Sequence, residues 1–165
     1  MSAARSSRPR VSLVAYVYNY AEYVGEMLDS VLAQSFEDFE LCFLDDGSTD
    51  GTGDVVRGCR DARVRYFRQD NLGRARLDET FNRCVREARG ELLAVVNGDD
   101  RLHPRKLETQ VALFDRWPAL DVSFHDAAFV DAAGASRAGT FRPQLPEAVL
   151  HGGRLGPYFF RHNLI

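Results

Sequence analysis

Leu44-Asp45-Asp46-Gly47-Ser48-Thr49-Asp50-Gly51-Thr52 is the stretch on which the reading of this chain turns. It closes the apolar run Phe39–Leu44 and crowds turn formers and helix-capping residues together ahead of a helical pattern. An apolar run that stops on two acids and a glycine is a strand–loop–helix connection. One account of its acids is structural, because Asp or Ser in such a loop caps the next helix. The other is chemical: a carboxylate held at a strand end accepts the ring N–H of a pyrimidine base while apolar neighbours cover the ring.

The same alternation continues on both sides. Upstream, Val11–Tyr18 is a β-branched and aromatic run ended by Asn19. Between Glu22 and Gln34, Val24, Met27, Leu28, Val31 and Leu32 recur at threes and fours, the apolar face of a helix. Downstream, the pattern predicts a short helix over Asp54–Arg60 and a strand over Val64–Phe67. A long helix follows on Leu77, Phe81, Cys84, Val85 and Ala88, stopped at Gly90, and then a strand over Leu92–Val96. Pro104 opens a further helix whose face is Leu107, Val111 and Phe114. Val122–Phe124 is read as a fifth strand, and Phe129–Asp131 with Gly134 as a strand and turn.

This order predicts an α/β fold, a mostly parallel sheet flanked by helices on both faces. In such sheets ligands bind at the carboxyl ends of the strands. Tyr16–Asn19, Asp45–Asp50 and Asn97–Asp100 therefore belong to one edge.

The 165 residues suit one domain, read as 11–165 behind a disordered basic tail at 1–10. With 45% apolar and 27% charged residues the chain has the balance of a globular protein. Its net charge of −3 argues against a partner nucleic acid held by bulk charge. Lys106 is the sole lysine, so cationic contacts fall to arginine. Cys42, Cys59 and Cys84 show no CxxC spacing, which suits a reduced, cytoplasmic chain. No run approaches the roughly 20 apolar residues of a spanning helix.

Two phosphate-binding devices are absent: there is no GxxxxGK[ST], and Gly47, Gly51 and Gly53 do not form GxGxxG. Acids stand at the strand ends instead. Carboxylates repel phosphate, so an acidic site for a phosphorylated ligand needs a divalent cation between them. Asn97-Gly98-Asp99-Asp100 follows a strand, and although Asn-Gly favours a hairpin turn, a helical period comes next. A helix cap at Asp99 or Asp100 remains the alternative. Arg74 and Arg76 carry the guanidinium fork that matches phosphate oxygens, though such arginines are commonly just solvated. Tyr16 and Tyr18 either stack on a base or fill the sheet.

In order, these segments resemble the family 2 inverting glycosyltransferases of the GT-A fold. The carrying residues are Val11–Asn19, Ser30–Phe36, Leu44–Thr52, Asn71-Leu72-Gly73, Ala88–Glu91 and Asn97–Asp100, with Pro104 and Leu107 beyond. The resemblance implies a Rossmann-like nucleotide-diphospho-sugar transferase fold, truncated at the C-terminus. It implies a nucleoside-diphosphate sugar donor of the UDP or dTDP kind, a glycan, lipid-linked or other hydroxyl acceptor, and Mn2+ or Mg2+. By position, Ala15, Tyr16, Tyr18, Asp46, Arg74, Arg76, Asn97, Gly98 and Asp99 would bind the donor. Asp99 and Asp100 would hold the metal. Asn97 stands where the family's DxD motif has its first acid, which removes one negative charge beside the cation. The catalytic base is expected beyond Ile165, so donor binding without efficient transfer is the expectation for this chain alone. A full-length protein peripheral to a membrane fits the same reading. Nucleotidyl transfer and a purely donor-binding module are the rivals.

Overall fold

The computed structural model describes residues 8–125, 127–131 and 135–141. Contacts divide the chain into two compact units at Glu108 and Thr109, where the sequence reading treated 11–165 as one domain.

The first unit is built on a four-stranded sheet in the order β3-β2-β1-β4. These strands are β1 (Val11–Val17), β2 (Phe39–Asp45), β3 (Val64–Arg68) and β4 (Leu92–Val95). Every pairing is parallel; Val17 lies opposite Asp45, and Val14 opposite Val95. β2 is buried throughout and β1 almost throughout, as expected of central strands covered on both faces.

The chain runs β1, β2, β3 in one direction across the sheet and then returns to the other side of β1 for β4. Right-handed crossovers put α1 (Val24–Leu32) and α2 (Thr52–Gly58) on one face and α3 (Leu77–Glu87) on the other. Val14, Cys42 and Leu44 meet Cys84 of α3, with Tyr16, Phe67 and Phe81 around them. The direction reverses between β1 and β4, and it is at the carboxyl ends beside such a reversal that open α/β sheets bind ligands.

Several boundaries differ from the sequence reading. α2 starts at Thr52 rather than Asp54, because Asp50 Oδ1 accepts from the Thr52 N–H at 3.0 Å and its hydroxyl at 2.6 Å. α3 ends at Glu87, and Ala88 is extended. The chain leaves the helix there because the Arg89 and Gly90 N–H groups turn to Glu40 Oε1 and Ser12 Oγ, at 2.7 Å each. Ser12, which interrupts an apolar run in the sequence, also donates to Glu40 at 2.8 Å. Arg65 and Arg89 complete this buried knot at 3.1 and 3.3 Å from Glu40 Oε2. Burial would push the Glu40 carboxyl up, but these donors outweigh it and hold it below the usual glutamate range.

Arg10, assigned to the tail, is anchored: its N–H donates to the Asp38 carbonyl at 3.1 Å and its guanidinium pairs with Glu91. Residues 1–7 lie outside the described residues. Pro104 precedes the fourth helix, α4 (Lys106–Arg116), by a turn instead of opening it. Gln34 prepares that start, accepting from the Leu107 N–H at 3.0 Å and donating to the His103 carbonyl at 2.8 Å.

In the second unit, β5 (Ala127–Val130) and β6 (Ser136–Phe141) form an antiparallel pair. Val122–Phe124 is not a strand. Two apolar residues around Ser123 make too short a pattern to distinguish a strand from an irregular segment. The Gly134 turn and the proline-broken stretch after Phe141 lie outside the described residues. Among the described residues, no helix is long and apolar enough to cross a membrane.

Candidate functional site

Three loops meet at the carboxyl ends of β1, β2 and β4. The β1 loop turns at Asn19, whose φ of 61° is left-handed, a conformation asparagine tolerates better than most residues. Its N–H donates to Ser48 Oγ and its Oδ1 accepts from the Thr49 N–H, both at 2.9 Å. The Tyr20 N–H donates to Thr52 Oγ1 at 2.8 Å, and the Ala21 N–H to Asp50 Oδ2 at 3.0 Å. The loop after β2 is thereby laced to the loop after β1.

Asp45 and Asp46 divide the work of that loop. Asp45 has no exposed surface; its carboxylate accepts from the Ser48 N–H at 2.7 Å, Tyr66 Oη at 2.6 Å and Arg68 Nη1 at 2.7 Å. Burial would push its carboxyl up, yet Tyr66, Ser48 and the Arg68 charge hold it below the usual aspartate range. Asp46 is 4% exposed. Its carboxylate accepts from Gln69 Nε2, and the Leu72 N–H lies 3.3 Å from each oxygen. Asn71 Nδ2 donates to the Asp46 carbonyl at 2.8 Å. Gly47, at φ 80°, lets the chain pass the Asn71 backbone: a Cβ there would lie 2.7 Å from Asn71 N.

At the end of β4, Asn97–Asp100 forms a turn closed by the Asp100 N–H on the Asn97 carbonyl at 3.2 Å. Asn97 Nδ2 donates to Asp100 Oδ2 at 2.9 Å. No hairpin follows; the chain goes on to α4. Gly98 is pressed against the β1 end, where a Cβ would lie 2.6 Å from Val17 Cγ1 and 2.9 Å from Tyr20 Cδ1. The Tyr20 hydroxyl is pushed up first by burial and then by the charges of Asp99 and Asp100. Burial pushes the Lys106 amine down, against the opposing pull of Asp100.

The other sequence candidates separate. Tyr18 is exposed, while Tyr16 is half-buried and meets Phe81 edge-on at 5.8 Å between ring centroids. Ala15 is a correction: it is fully buried inside the sheet, its carbonyl accepting from the Cys84 thiol at 3.5 Å, so it offers a ligand no surface. Arg76 is engaged bidentately by Glu79 at 2.6 Å. Arg74 is exposed, and no carboxylate among the described residues pairs with it. Cys42, Cys59 and Cys84 are free, and burial pushes the Cys42 and Cys84 thiols up to about 11 and about 12.

Asp99 and Asp100 are adjacent exposed carboxylates, and among the described residues no three His, Cys, Asp or Glu form a cation cage. Such a pair suits Mg2+ or Mn2+, which take one or two carboxylates and complete their shell with phosphate oxygens and water. The sequence reading placed Asn19 on this edge but assigned no part to Tyr20, Gln69 or Arg83. The polar run Gln69-Asp70-Asn71 after β3 is the one local sign of them.

The glycosyl transferase family 2 profile matches residues 12–160, nearly the whole chain. The chain belongs to glycosyl transferase family 2. The putative glycosyltransferase EpsE of Bacillus subtilis is 32% identical over 86% of this chain and 51% of its own length. Glycosyltransferase GlyG of Streptococcus pneumoniae is 33% identical over 60% of this chain and 33% of its own length. This family 2 chain therefore spans about half the length, or less, of these curated relatives. TarS 1–349 of S. aureus, solved with UDP-GlcNAc, superposes with a TM-score of 0.59 at 27% identity, over 65% of this chain and 31% of its own. Mannosyltransferase PcManGT of Pyrobaculum calidifontis, solved with GDP-Man and Mn2+, shares the fold with a TM-score of 0.59 at 24% identity, over 76% of this chain and 36% of its own. The parallel sheet flanked by helices is that of the GT-A fold.

Proposed function

We propose that this chain binds the donor of a metal-dependent inverting glycosyltransferase that uses a UDP- or dTDP-sugar. The observation that carries the reading is that the loops following β2 and β4 both rest on the end of β1. Asp46 donates its N–H to the Val17 carbonyl at 2.8 Å, and Gly98 packs on Val17 and Tyr20. The UDP-GlcNAc bound by TarS supports a uridine donor.

In this reading Asp46 accepts the pyrimidine N3–H, and Tyr16 and Tyr18 flank the ring. Asn97 hydrogen-bonds the ribose through its amide, with Gly98 leaving room for the turn. Arg74 pairs with the diphosphate. Arg76 joins it by exchanging Glu79, since an exposed ion pair of this kind contributes little. Asp99 and Asp100 would hold Mn2+ or Mg2+, which supplies positive charge to the leaving diphosphate. A glycan, lipid-linked or other hydroxyl acceptor is deprotonated by a base outside the described residues.

Isothermal titration of the chain with UDP, with and without Mn2+, tests the proposal. Binding strengthened by Mn2+ and lost in Asp46→Ala is expected. Absence of UDP binding in the presence of Mn2+ would overturn it.

A further inference from the structure

We infer that Gln69, oriented by Arg83, is the positioning residue that aims the Asp46 carboxylate and so sets the choice of nucleobase. The inference rests on the uridine-donor reading above. Gln69 follows β3 directly, its N–H donating to the Asp45 carbonyl at 3.0 Å. Its amide Nε2 donates to Asp46 Oδ1 and lies 3.1 Å from Thr80 Oγ1. Its Oε1 accepts from Arg83 Nη1 at 2.8 Å.

The two ends of a glutamine amide have the same shape, so neighbours decide which end faces a carboxylate. A guanidinium has donors only. Arg83 therefore takes the oxygen end of Gln69 and turns the NH2 end toward Asp46. The flipped amide would set a carbonyl against the carboxylate and an NH2 against the guanidinium. Arg83 is itself steadied by donating to the Arg68 carbonyl at 3.3 Å.

The result for Asp46 is asymmetric. Oδ1 is committed to Gln69. Oδ2 has only long contacts, to the Leu72 N–H at 3.3 Å and Asn71 Nδ2 at 3.4 Å, and so keeps acceptor capacity. An ionised carboxylate offers acceptors alone. Held this way, Asp46 takes a base edge that presents an N–H, as uracil and thymine do at N3. It rejects cytosine, whose N3 is itself an acceptor, because two acceptors would face each other unpaired.

The test titrates the wild-type chain, Gln69→Met, Arg83→Met and Arg83→Lys with UDP, CDP and inorganic pyrophosphate, all with Mn2+. In both Met variants the UDP affinity is expected to fall about tenfold, the loss of one hydrogen bond to a charged group. The UDP-over-CDP preference should shrink by a similar factor, pyrophosphate binding should hold, and Arg83→Lys should keep most of the preference. Gln69→Glu, the same length, sets a carboxylate against that of Asp46 and should weaken UDP at least as much without opening a cavity. A role confined to the fold would lower the melting temperature and weaken all three ligands together while leaving the preference intact, and that result overturns the inference. If Asp46→Asn erases the UDP preference while the Gln69 and Arg83 variants keep it, the relay fails and the donor reading stands. If Asp46→Asn keeps the preference as well, the donor reading fails, and the inference with it.

Discussion

Asp45 and Asp46 are consecutive residues whose carboxylates share none of their hydrogen-bond donors: Asp45 takes Ser48, Tyr66 and Arg68, and Asp46 takes Gln69, Asn71 and Leu72. Successive side chains at a strand end point to opposite sides. Both acids are buried, but the first is tied to the loop and to β3, and the second to the segment that follows β3.

The division predicts that Asp45→Asn damages stability before chemistry. It removes a charge with three donors aimed at it, and Arg68, 46% exposed on its side chain, regains water in part. A loss of about 2 kcal/mol is expected, read from urea unfolding. The pH dependence follows from the lowered carboxyl. Unfolded, the group titrates at about 3.9, so its stabilisation is complete above that pH and is lost as pH falls through the lower folded value. The wild-type melting temperature should drop on acidification below about pH 4, and Asp45→Asn should flatten that drop.

Glu40 and Ser12 lie toward the other ends of β1 and β2, and their variants should separate folding from binding. Glu40→Ala leaves the Arg89 N–H and the Ser12 hydroxyl without their shared acceptor, and should cost about 2 kcal/mol by urea unfolding. UDP affinity at a temperature where the variant is folded should match wild type. A parallel fall in affinity would show that the two ends of the sheet are coupled.

Asn97→Asp should strengthen Mn2+ binding. The substitution adds a negative charge beside Asp99 and removes the Asn97 Nδ2–Asp100 hydrogen bond at 2.9 Å, leaving Asp100 only the long contact of the residue 97 N–H at 3.4 Å. A gain of several-fold is expected in Mn2+ titrations at low ionic strength, shrinking as salt rises because these carboxylates are exposed. An affinity unchanged at every salt concentration would place the cation elsewhere.

Strands β1 to β4 were legible as short, mostly apolar runs and helices α1 and α3 by their periodic apolar residues, and both are local information. The edge carrying Asn19, Asp46 and Asn97 followed from strand order alone. The partition between Asp45 and Asp46 was not legible. It is settled by Tyr66, Arg68 and Gln69, more than twenty residues away along the chain. The partners of Ser12 were hidden for the same reason: a hydroxyl in an apolar run shows nothing of Glu40 and Gly90, which satisfy it. Ala15 failed because position along a strand does not reveal what covers it. Val122–Phe124 failed because so short a pattern carries no period.

Gly98 meets Val17 and Tyr20 without a side chain of its own between them. The two surfaces are moulded to each other, so drift in one restricts what the other tolerates. Chimaeras that import the β1 loop from one relative and the acidic turn from another would join ill-matched halves.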